Sequence, residues 1–405
     1  MDGTLEGITV LDLSWILSGP FCTMLLADQG ARVIKIERPG VGDGARGTGP
    51  FVSYEEEGES KKESAYFTRL NRNKESVTLN LLHPEGRRIF LQLVKEADVV
   101  VENFTPGTME KFGLDFQVLR EANPRLIYCS ISGFGQTGPL AKRPALDVIV
   151  QAMGGVMSIT GEPGRPPVRV GASVGDIVAG LFASTGICSA LFEREKSGVG
   201  QMLDISMLDC QIAMLENAFT RYFAMNEVPE PLGTRHPAAT PFQAFETSDG
   251  WLVVAIFGGN MTQWPLFCSI IGHHEWIDDP RFQTSWDRTL QIEFLEPRIN
   301  AVMKTRTTSE WEHDLVESGI PCGKVNRIDE IVSHPQVEFR QMLSSRPHSR
   351  FGSWTYINSP LRFSRSSIRD AETPPRLGEH TQKVLSEFLS VSTEGFRDLA
   401  DNEIV

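Results

Sequence analysis

Short, nearly continuous apolar segments alternate with helical patterns through the first half of the chain. Segments of this kind are found at residues 8–13, 31–36, 76–81, 98–102 and 125–132. Strands that are apolar on both faces are typical of parallel sheets, because crossover helices cover the two sides of such sheets. The pattern therefore predicts an α/β fold that is built on a parallel sheet.

The second half of the chain indicates another packed unit. A chain of 405 residues is too long for one ordinary core. The composition shifts to Pro, Gly, His and Arg over 226–241, and a strand pattern at 251–257 follows, with aromatic helical segments behind it. We predict a large domain, a small domain with its linkers, and a C-terminal segment that returns to the large domain. Their predicted bounds are 1–225, 226–318 and 319–405.

The charge and the cysteines exclude several classes of protein. The net charge of −13 argues against nucleic acid or an anionic membrane surface as the main partner. We find no apolar run of about 18 residues and no secretory signal at the start. The six cysteines are scattered, and no His or Cys cluster has metal-ligand spacing. We expect reduced thiols, a cytoplasmic location and no metal site.

The segment 133–138 matches the glycine pattern G-x-G-x-x-G and follows a predicted strand. A dinucleotide-binding loop of this type must lead directly into a helix whose N-terminus faces the pyrophosphate. Here Pro139 and the polar residues 142–144 intervene. We therefore interpret the segment as a tight turn near a ligand and not as a nicotinamide or flavin site.

Asp176 precedes a long apolar helix, predicted at 177–193. Read locally, it is the N-cap of that helix, because Asp is a favoured residue there. A carboxylate at a helix N-terminus is also expected to stay ionised, since the terminal N–H groups and the helix dipole stabilise its charge. Its neighbours Gly175 and Ala179 are small and leave room for a substrate. Such a carboxylate can act as a covalent nucleophile.

Basic residues cluster near the ends of two predicted strands. They are Lys35 and Arg38 after the second strand, and Arg72 and Lys74 before the third. Ligands of open α/β sheets bind outside the carboxyl ends of the strands. The cluster is either a phosphate-binding rim or a solvated charged surface.

The chain resembles the family III CoA-transferases, which include formyl-CoA transferase, carnitine CoA-transferase and the α-methylacyl-CoA racemases. The resemblance runs over nearly the full length, as a series of short matches in order. These matches are at 5–12, 19–20, 33–38, 71–74, 98–104, 133–135, 161–164, 175–176, 319–321 and 377–381.

The resemblance implies a Rossmann-like parallel sheet in the large domain, a smaller α+β domain, and a dimer of two interlocked chains. It also implies that Asp176 is the catalytic nucleophile. This carboxylate would attack an acyl-CoA, form a mixed anhydride and then an aspartyl-CoA thioester, and pass CoA to a second acid. CoA is then a substrate, and no permanently bound cofactor is expected.

The family's CoA contacts map onto residues near the ends of the second, third and fourth predicted strands. The matching positions are Arg38, Lys74, Asn103, Phe104 and Lys111. The family also has a glycine loop in the small domain that shields the intermediate, and the matching residues are Gly258 and Gly259. The run of glycines here is shorter than in formyl-CoA transferase.

Two departures from the family pattern bear on the reaction. Leu17 stands where formyl-CoA transferase has a glutamine, which argues against formyl or oxalyl transfer. Leu146 stands where the racemases have the acid/base histidine, and proton transfer at an α-carbon needs that group. The resemblance therefore favours a transferase over a racemase.

Within the transferases, the chain looks most similar to members that act on C4 and C5 dicarboxylates. We expect succinyl-CoA as the donor and malate, citramalate, itaconate or mesaconate as the acceptor. Arg46, Arg72 and Arg169 are candidates for binding the acceptor carboxylate. A racemase, or a supporting subunit in a heteromeric transferase, stays open as an alternative at this point.

Overall fold

The computed structural model describes residues 3–257 and 262–405. The chain forms two compact units, which are described separately below. Unit 1 consists of Met1–Met157, Arg169–Asn226 and Gln336–Val405. Unit 2 consists of Ser158–Val168 and Glu227–Pro335.

The strands are numbered in chain order. They are β1 (Thr9–Asp12), β2 (Arg32–Glu37), β3 (Phe51–Glu56), β4 (Glu59–Ser64), β5 (Lys74–Thr78), β6 (Val99–Glu102), β7 (Ile127–Ser132), β8 (Met202–Ser206), β9 (Phe242–Glu246), β10 (Trp251–Ala255), β11 (Cys322–Lys324), β12 (Leu343–His348) and β13 (Gly352–Ile357).

The α-helices are numbered in the same way. They are α1 (Ser18–Asp28), α2 (Ala65–Leu70), α3 (Pro84–Lys95), α4 (Thr108–Phe112), α5 (Phe116–Ala122), α6 (Asp147–Met153), α7 (Val156–Ile159), α8 (Val174–Ser197), α9 (Met207–Met214), α10 (Glu216–Met225), α11 (Gln263–Ile270), α12 (Ser285–Leu290), α13 (Ile292–Met303), α14 (Thr308–Glu317), α15 (Ile328–Val332), α16 (Pro335–Phe339), α17 (Thr381–Leu389) and α18 (Thr393–Asp401).

Unit 1 is built on a six-stranded sheet whose order is β5-β2-β1-β6-β7-β8. Every neighbouring pair in this sheet is parallel, which confirms the predicted α/β fold. The five predicted strands are present, whereas β8 was not predicted. The strand order reverses between β1 and β6, and ligands of open α/β sheets bind at such a switch point.

Successive side chains along the central strands point to opposite faces of the sheet, and each face has its own core. Val10 of β1 lies in a cluster with side chains of α1 and α8. The next residue, Leu11, lies in a second cluster with side chains of α3 and α17. This double burial explains why the strands of the sheet are nearly continuously apolar.

Unit 2 contains a three-stranded antiparallel sheet with the order β11-β10-β9. Its core is rich in aromatic side chains, among them Trp264, Phe267, Trp276 and Phe282. The predicted end of this domain at residue 318 differs from the observed end at Pro335. The reason is that β11 pairs with β10, so the chain remains in unit 2 beyond α14.

Helix α8 is long and apolar enough, by length and composition alone, to cross a membrane. The sequence pattern had not indicated an apolar run of about 18 residues here. In the structure, 44% of the most apolar 18-residue window of α8 is buried. Ala179, Ala183 and Ile187 of this helix pack into the core on one face of the sheet.

Candidate active site

Asp176 lies beside the switch point of the sheet. Ser18 begins α1 in the connection that follows β1, and its hydroxyl lies near enough to Asp176 to lower the pKa of that carboxyl. Asn103 directly follows β6, and its side-chain amide donates to the Ser18 hydroxyl oxygen at 3.1 Å. The residues that follow the two strands on either side of the switch point are thus linked to Asp176.

Asp176 is not the N-cap of its helix, and that prediction is wrong. Helix α8 begins at Val174, with Ser173 at the N-cap, so Asp176 is the third helical residue. The Gly175 N–H is bound instead by the Asp147 carboxylate at 2.8 Å. Because a side chain from α6 satisfies this N–H group, the helix starts one turn earlier than the sequence pattern indicated.

Burial, and after it the nearby negative charge of Asp147, raises the pKa of Asp176 to about 7. The hydrogen bond from Ser18 acts in the opposite direction and lowers this pKa. The expectation of a fully ionised carboxylate is therefore not met at neutral pH. Tyr66 also lies in this environment, where burial, followed by the charge of Asp176, raises its pKa to about 12, so its phenol is protonated.

The side chain of Lys74 is fully buried. Its amine contacts the Asp12 carboxylate at 2.9 Å, the Thr23 hydroxyl at 2.8 Å and the Asn71 side-chain oxygen at 2.9 Å. It also donates to the Pro20 carbonyl oxygen at 3.1 Å. Since these partners occupy the amine, Lys74 does not face a ligand as the sequence reading had predicted.

The predicted basic rim is mostly a set of buried ion pairs. The Lys35 amine is fully buried and lies 2.9 Å from the Asp43 carboxylate. Arg72 is 3% exposed and forms a two-point ion pair with Asp28, at 2.6 and 3.0 Å. Of the four basic residues, Arg38 alone is exposed.

A cleft of about 450 Å³ opens at the carboxyl ends of β1, β2, β5 and β6. Arg38 and Phe104 line it, together with Trp15 and Asn80. Arg38 makes no ion pair within the part of the chain that the structure describes, so its guanidinium is available to an anionic ligand. The cleft thus combines apolar walls with a free cation.

The other predicted site residues lie close to this cleft or outside the described residues. Lys111 is exposed on α4, the helix whose Thr108 and Phe112 line the cleft. Asn103 adjoins Phe104, but its side chain points toward Trp15 and Ser18. Gly258 and Gly259 lie outside the described residues.

The three arginines that were considered for the acceptor carboxylate differ in availability. Arg46 forms an ion pair with Glu37 at 2.7 Å, and Arg72 is paired as described above. Arg169 is exposed and donates to the Gly171 carbonyl oxygen at 3.0 Å. Of these three arginines, Arg169 is the one whose side chain has no carboxylate partner among the described residues.

Sequence reasoning missed Ser18, Tyr66 and Asp147 as site residues. Ser18 reads as an ordinary helix start, and Asp147 reads as a residue of a predicted helix. No local pattern joins them to Asp176, because Ser18 lies 158 positions and Asp147 lies 29 positions before it in the sequence. Their positions follow from the parallel sheet, which brings the loops after distant strands to one edge.

The glycine pattern at 133–138 forms a turn after β7, and the next helix, α6, begins only at Asp147. Gly135 has a φ of +85°, and the following Gln136 N–H donates to the Asp204 carboxylate at 2.9 Å. This turn lacks the helix that a dinucleotide loop requires. Among the described residues, no group of three or more His, Cys, Asp or Glu side chains could hold a metal ion.

The doubly wound parallel sheet places the chain in the class of open α/β proteins, whose ligands typically bind at the carboxyl ends of the strands. The sequence model of CoA-transferase family III matches residues 5–381. The chain therefore belongs to this family, it is a CoA-transferase, and it uses CoA thioesters as substrates.

Characterised relatives cover nearly the whole chain. An acetyl-CoA:oxalate CoA-transferase from Acetobacter aceti is 42% identical, with 95% of this chain and 96% of the relative aligned. A succinyl-CoA:mesaconate CoA-transferase from Haloarcula marismortui is 39% identical, with 95% and 96% aligned. A succinyl-CoA:glutarate CoA-transferase from Mus musculus is 38% identical, with 95% and 86% aligned.

The fold is also that of a solved structure. A CAIB/BAIF family protein from Brucella suis matches with a TM-score of 0.83 and 36% identity. The match covers 96% of this chain and 100% of the other. This agreement supports the described arrangement of strands and helices.

Proposed function

We propose that Asp176 is the covalent nucleophile of CoA transfer. Its carboxylate attacks the acyl carbon of the donor thioester, the C–S bond breaks, and CoA leaves as a thiolate. The thiolate then attacks the Asp176 carbonyl carbon of the mixed anhydride, which releases the donor acid and leaves an aspartyl-CoA thioester. The acceptor carboxylate attacks the carbonyl carbon of this thioester, which expels the CoA thiolate and forms a second mixed anhydride. The thiolate then attacks the acceptor acyl carbon of that anhydride, which yields the acceptor CoA thioester and frees the Asp176 carboxylate.

The observation that carries this proposal is the position of Asp176. It lies beside the switch point, in the first turn of α8, with a pKa near neutrality. A carboxylate that is partly ionised at pH 7 and desolvated is more nucleophilic toward a thioester than a solvated one. Carboxylates are poor nucleophiles unless the site holds them against an electrophile.

The test is CoA exchange between succinyl-CoA and a second acid, followed by mass spectrometry. We expect Asp176→Ala and Asp176→Asn to abolish exchange. We also expect hydroxylamine to trap the intermediate of the wild-type enzyme as a hydroxamate on the peptide that contains Asp176. Full turnover by either variant, or a hydroxamate on another peptide, would contradict the proposal.

We propose that CoA occupies the cleft at the carboxyl ends of the strands. Arg38 supports this proposal because it is exposed and unpaired at the cleft, and phosphates are favourable partners for a guanidinium. Lys111 is the second candidate for a phosphate contact. Phe104 and the main chain at Asn103 would contact the adenine or the pantetheine arm. Lys74 is left out of this set, because its amine is buried and occupied.

We propose a dicarboxylyl-CoA donor, with succinyl-CoA first, and a small dicarboxylic acid as the acceptor. The named donors of two relatives are succinyl-CoA, and the named acceptors of three are mesaconate, glutarate and oxalate. Malate, citramalate and itaconate are of the same chemical class. Leu17 argues against oxalate, but a relative that is 42% identical is named for oxalate, so oxalate belongs among the acids to be tested. A panel of these acids with succinyl-CoA and acetyl-CoA, scored by product masses, tests the assignment.

We propose that a second copy of the chain, or a paralogous subunit, covers α10. This helix has no buried residue although Phe219, Tyr222 and Phe223 lie close together on it. Phe223 is 77% exposed, and an apolar face of this kind is typical of an interface. Light scattering on the chain expressed alone distinguishes a homodimer from a monomer that needs a partner.

The alternative of an acyl-CoA racemase is less well supported. Leu146 is 71% exposed and offers no acid/base group at the position that matches the family's histidine. Deuterium uptake at the α-carbon in heavy water, without an acceptor acid, would favour the racemase. We also propose a cytoplasmic location, for which the support is that all six cysteines are free thiols.

A further inference from the structure

Buried side chains bind nearly all the backbone polar groups of the loop at residues 14–16. The Ser14 N–H donates to the Asp12 carboxylate at 2.9 Å, and the Ser14 carbonyl accepts from the Lys35 amine at 2.6 Å. The Ile16 N–H donates to the Asp43 carboxylate at 2.9 Å. Because three buried charges bind it, this loop has little freedom to move.

Asn103 binds the remaining residue of the loop from the other side of the switch point. Its side-chain oxygen accepts from the Trp15 N–H at 2.9 Å, and its amide group donates to the Trp15 carbonyl at 2.9 Å. These two bonds fix which end of the amide is the donor. The amide N–H₂ group is therefore the part of Asn103 that faces the Ser18 hydroxyl, at 3.1 Å.

The loop also contains a strained residue. Ile16 has a φ of +64°, a conformation that β-branched residues rarely adopt. Strain of this kind persists only where the surroundings determine the conformation, and it concentrates at functional sites. Here the strained residue lies two positions before Ser18, and the hydrogen bonds at its neighbours hold it in place.

The orientation of the Ser18 hydroxyl follows from these contacts. Ser18 is 3% exposed, and its oxygen already accepts a hydrogen bond from Asn103. Its own proton is therefore free for another acceptor, and the effect of the Ser18 hydroxyl on the pKa of Asp176 points to that carboxylate. Apo structures often hold catalytic hydrogen bonds in a loose form that tightens in the reacting complex.

We propose that Ser18, oriented by Asn103, is a positioning residue that aims the Asp176 carboxylate and favours its ionised form. This inference rests on the proposed function of Asp176 as the nucleophile. The side chain of Asn103 then orients Ser18 and does not contact CoA. Only the main chain of Asn103 remains available for the substrate. The strained loop presents Ser18 at a fixed position.

Other groups near Asp176 act on its ionisation as well. The charge of Asp147 on α6 disfavours ionisation, and Tyr66 on α2 presents a protonated phenol. The first turn of α8 favours the charged form through the helix dipole. Ser18 differs from these because its hydroxyl lowers the pKa of Asp176 directly and its removal changes no charge at the site.

The experiment compares the pH dependence of kcat for Ser18→Ala with that of the wild-type enzyme. Without the donor, the acid limb of the profile is expected to move up by about one pH unit. At pH 7 this change lowers kcat about fivefold, and the loss disappears above pH 9. Ser18→Thr retains the hydroxyl and should keep the wild-type limb. An unchanged limb in Ser18→Ala overturns the inference.

The matched control is Ser184→Ala, which removes a mostly buried hydroxyl from the same helix as Asp176. The Ser184 hydroxyl donates to the Leu181 carbonyl at 3.0 Å and does not act on Asp176. Its pH profile should equal that of the wild-type enzyme. If Ser184→Ala shifts the limb as far as Ser18→Ala does, the effect is general and the inference fails.

The role of Asn103 is tested with Asn103→Leu, which adds no charge near Asp176. Leucine cannot donate to Ser18, so the Ser18 hydroxyl loses the contact that orients it. We expect an upward shift of the acid limb no larger than that in Ser18→Ala, and no further shift when the two changes are combined. Shifts that add in the double variant would show that Asn103 does not act through Ser18.

A titration without turnover separates this inference from the proposed function. In enzyme labelled with ¹³C at the Asp carboxyl carbons, the Asp176 resonance is identified by its loss in Asp176→Asn. Its titration midpoint should rise by about one pH unit in Ser18→Ala. An unchanged midpoint refutes the role of Ser18. Absence of CoA exchange in the wild-type enzyme counts against the proposed function alone.

Discussion

The Asp147 carboxylate accepts a hydrogen bond from the Gly175 N–H at 2.8 Å, directly before Asp176 in the chain. The other oxygen of Asp147 accepts from the Gln151 side chain at 2.8 Å, and the Gln151 oxygen binds the Val170 N–H at 2.9 Å. Asp147 therefore fixes the start of α8 and, through its charge, opposes the ionisation of the nucleophile.

Replacement of Asp147 by Asn should move the acid limb of the kcat profile to lower pH. The neutral side chain removes the repulsion that raises the pKa of Asp176, so Asp176 ionises more readily. Asp147→Ala removes the acceptor as well, and should lower the free energy of unfolding by about 1–3 kcal/mol because it leaves the Gly175 N–H unsatisfied. Kinetic pH profiles and denaturant unfolding measure the two effects, and an unmoved limb in Asp147→Asn would refute the first.

The stability of the protein should depend on Asp176 in a pH-dependent way. Its pKa is raised in the folded state, so the folded chain binds more protons than the unfolded chain between about pH 4 and pH 7. Stability is then lost as the pH rises through this window. Asn cannot ionise, so Asp176→Asn avoids the loss of stability that comes with a buried charged carboxylate. The Tm of this variant should exceed that of the wild-type protein by about 3 °C at pH 8. The difference should vanish near pH 4, and a constant difference would contradict the linkage.

Lys74 and Arg38 should give opposite results when each is replaced. Lys74→Met leaves the buried Asp12 carboxylate without its closest cation, and should destabilise the protein by about 3–5 kcal/mol. Arg38→Ala removes an exposed cation at the cleft, and should leave the Tm unchanged while it raises KM for the acyl-CoA about tenfold. Thermal unfolding and initial rates test the pair. A stable Lys74→Met variant with a raised KM would restore Lys74 as a CoA contact.

Gly180 should not tolerate alanine, because α1 and α8 approach each other closely there. A Cβ atom at this position would lie 2.8 Å from the Ser18 carbonyl oxygen and 3.0 Å from the Phe21 ring. We expect Gly180→Ala to displace Ser18, to cost about 1–3 kcal/mol of stability and to lower kcat.

The matched control for this prediction is Gly186→Ala in the same helix. Its Cβ would meet the end of the Leu203 side chain at 2.8 Å, which can move aside, and alanine favours the helix. Gly186→Ala should therefore retain activity. Equal losses of kcat in the two variants would contradict the argument from close packing.

The fold was largely predictable from the sequence, for a physical reason. Segments such as 98–102 and 125–132 are apolar on both faces, and only a sheet covered by helices on two sides buries them completely. Strand β8 was missed, since its residues Met202–Ser206 include the exposed Asp204 and lack the continuous apolar pattern.

The sequence by itself determined the parallel sheet, the long helix that carries Asp176, and the resemblance that singled this residue out. Only the tertiary structure decided that Lys74 is buried in a hydrogen-bonded network whereas Arg38 is free at the cleft. It also decided that Ser18, Asn103 and Asp147 meet around Asp176. The reason is that parallel strands bring their carboxyl ends to one edge of the sheet, whatever the distance between them along the chain. Patterns of neighbouring residues do not contain that information.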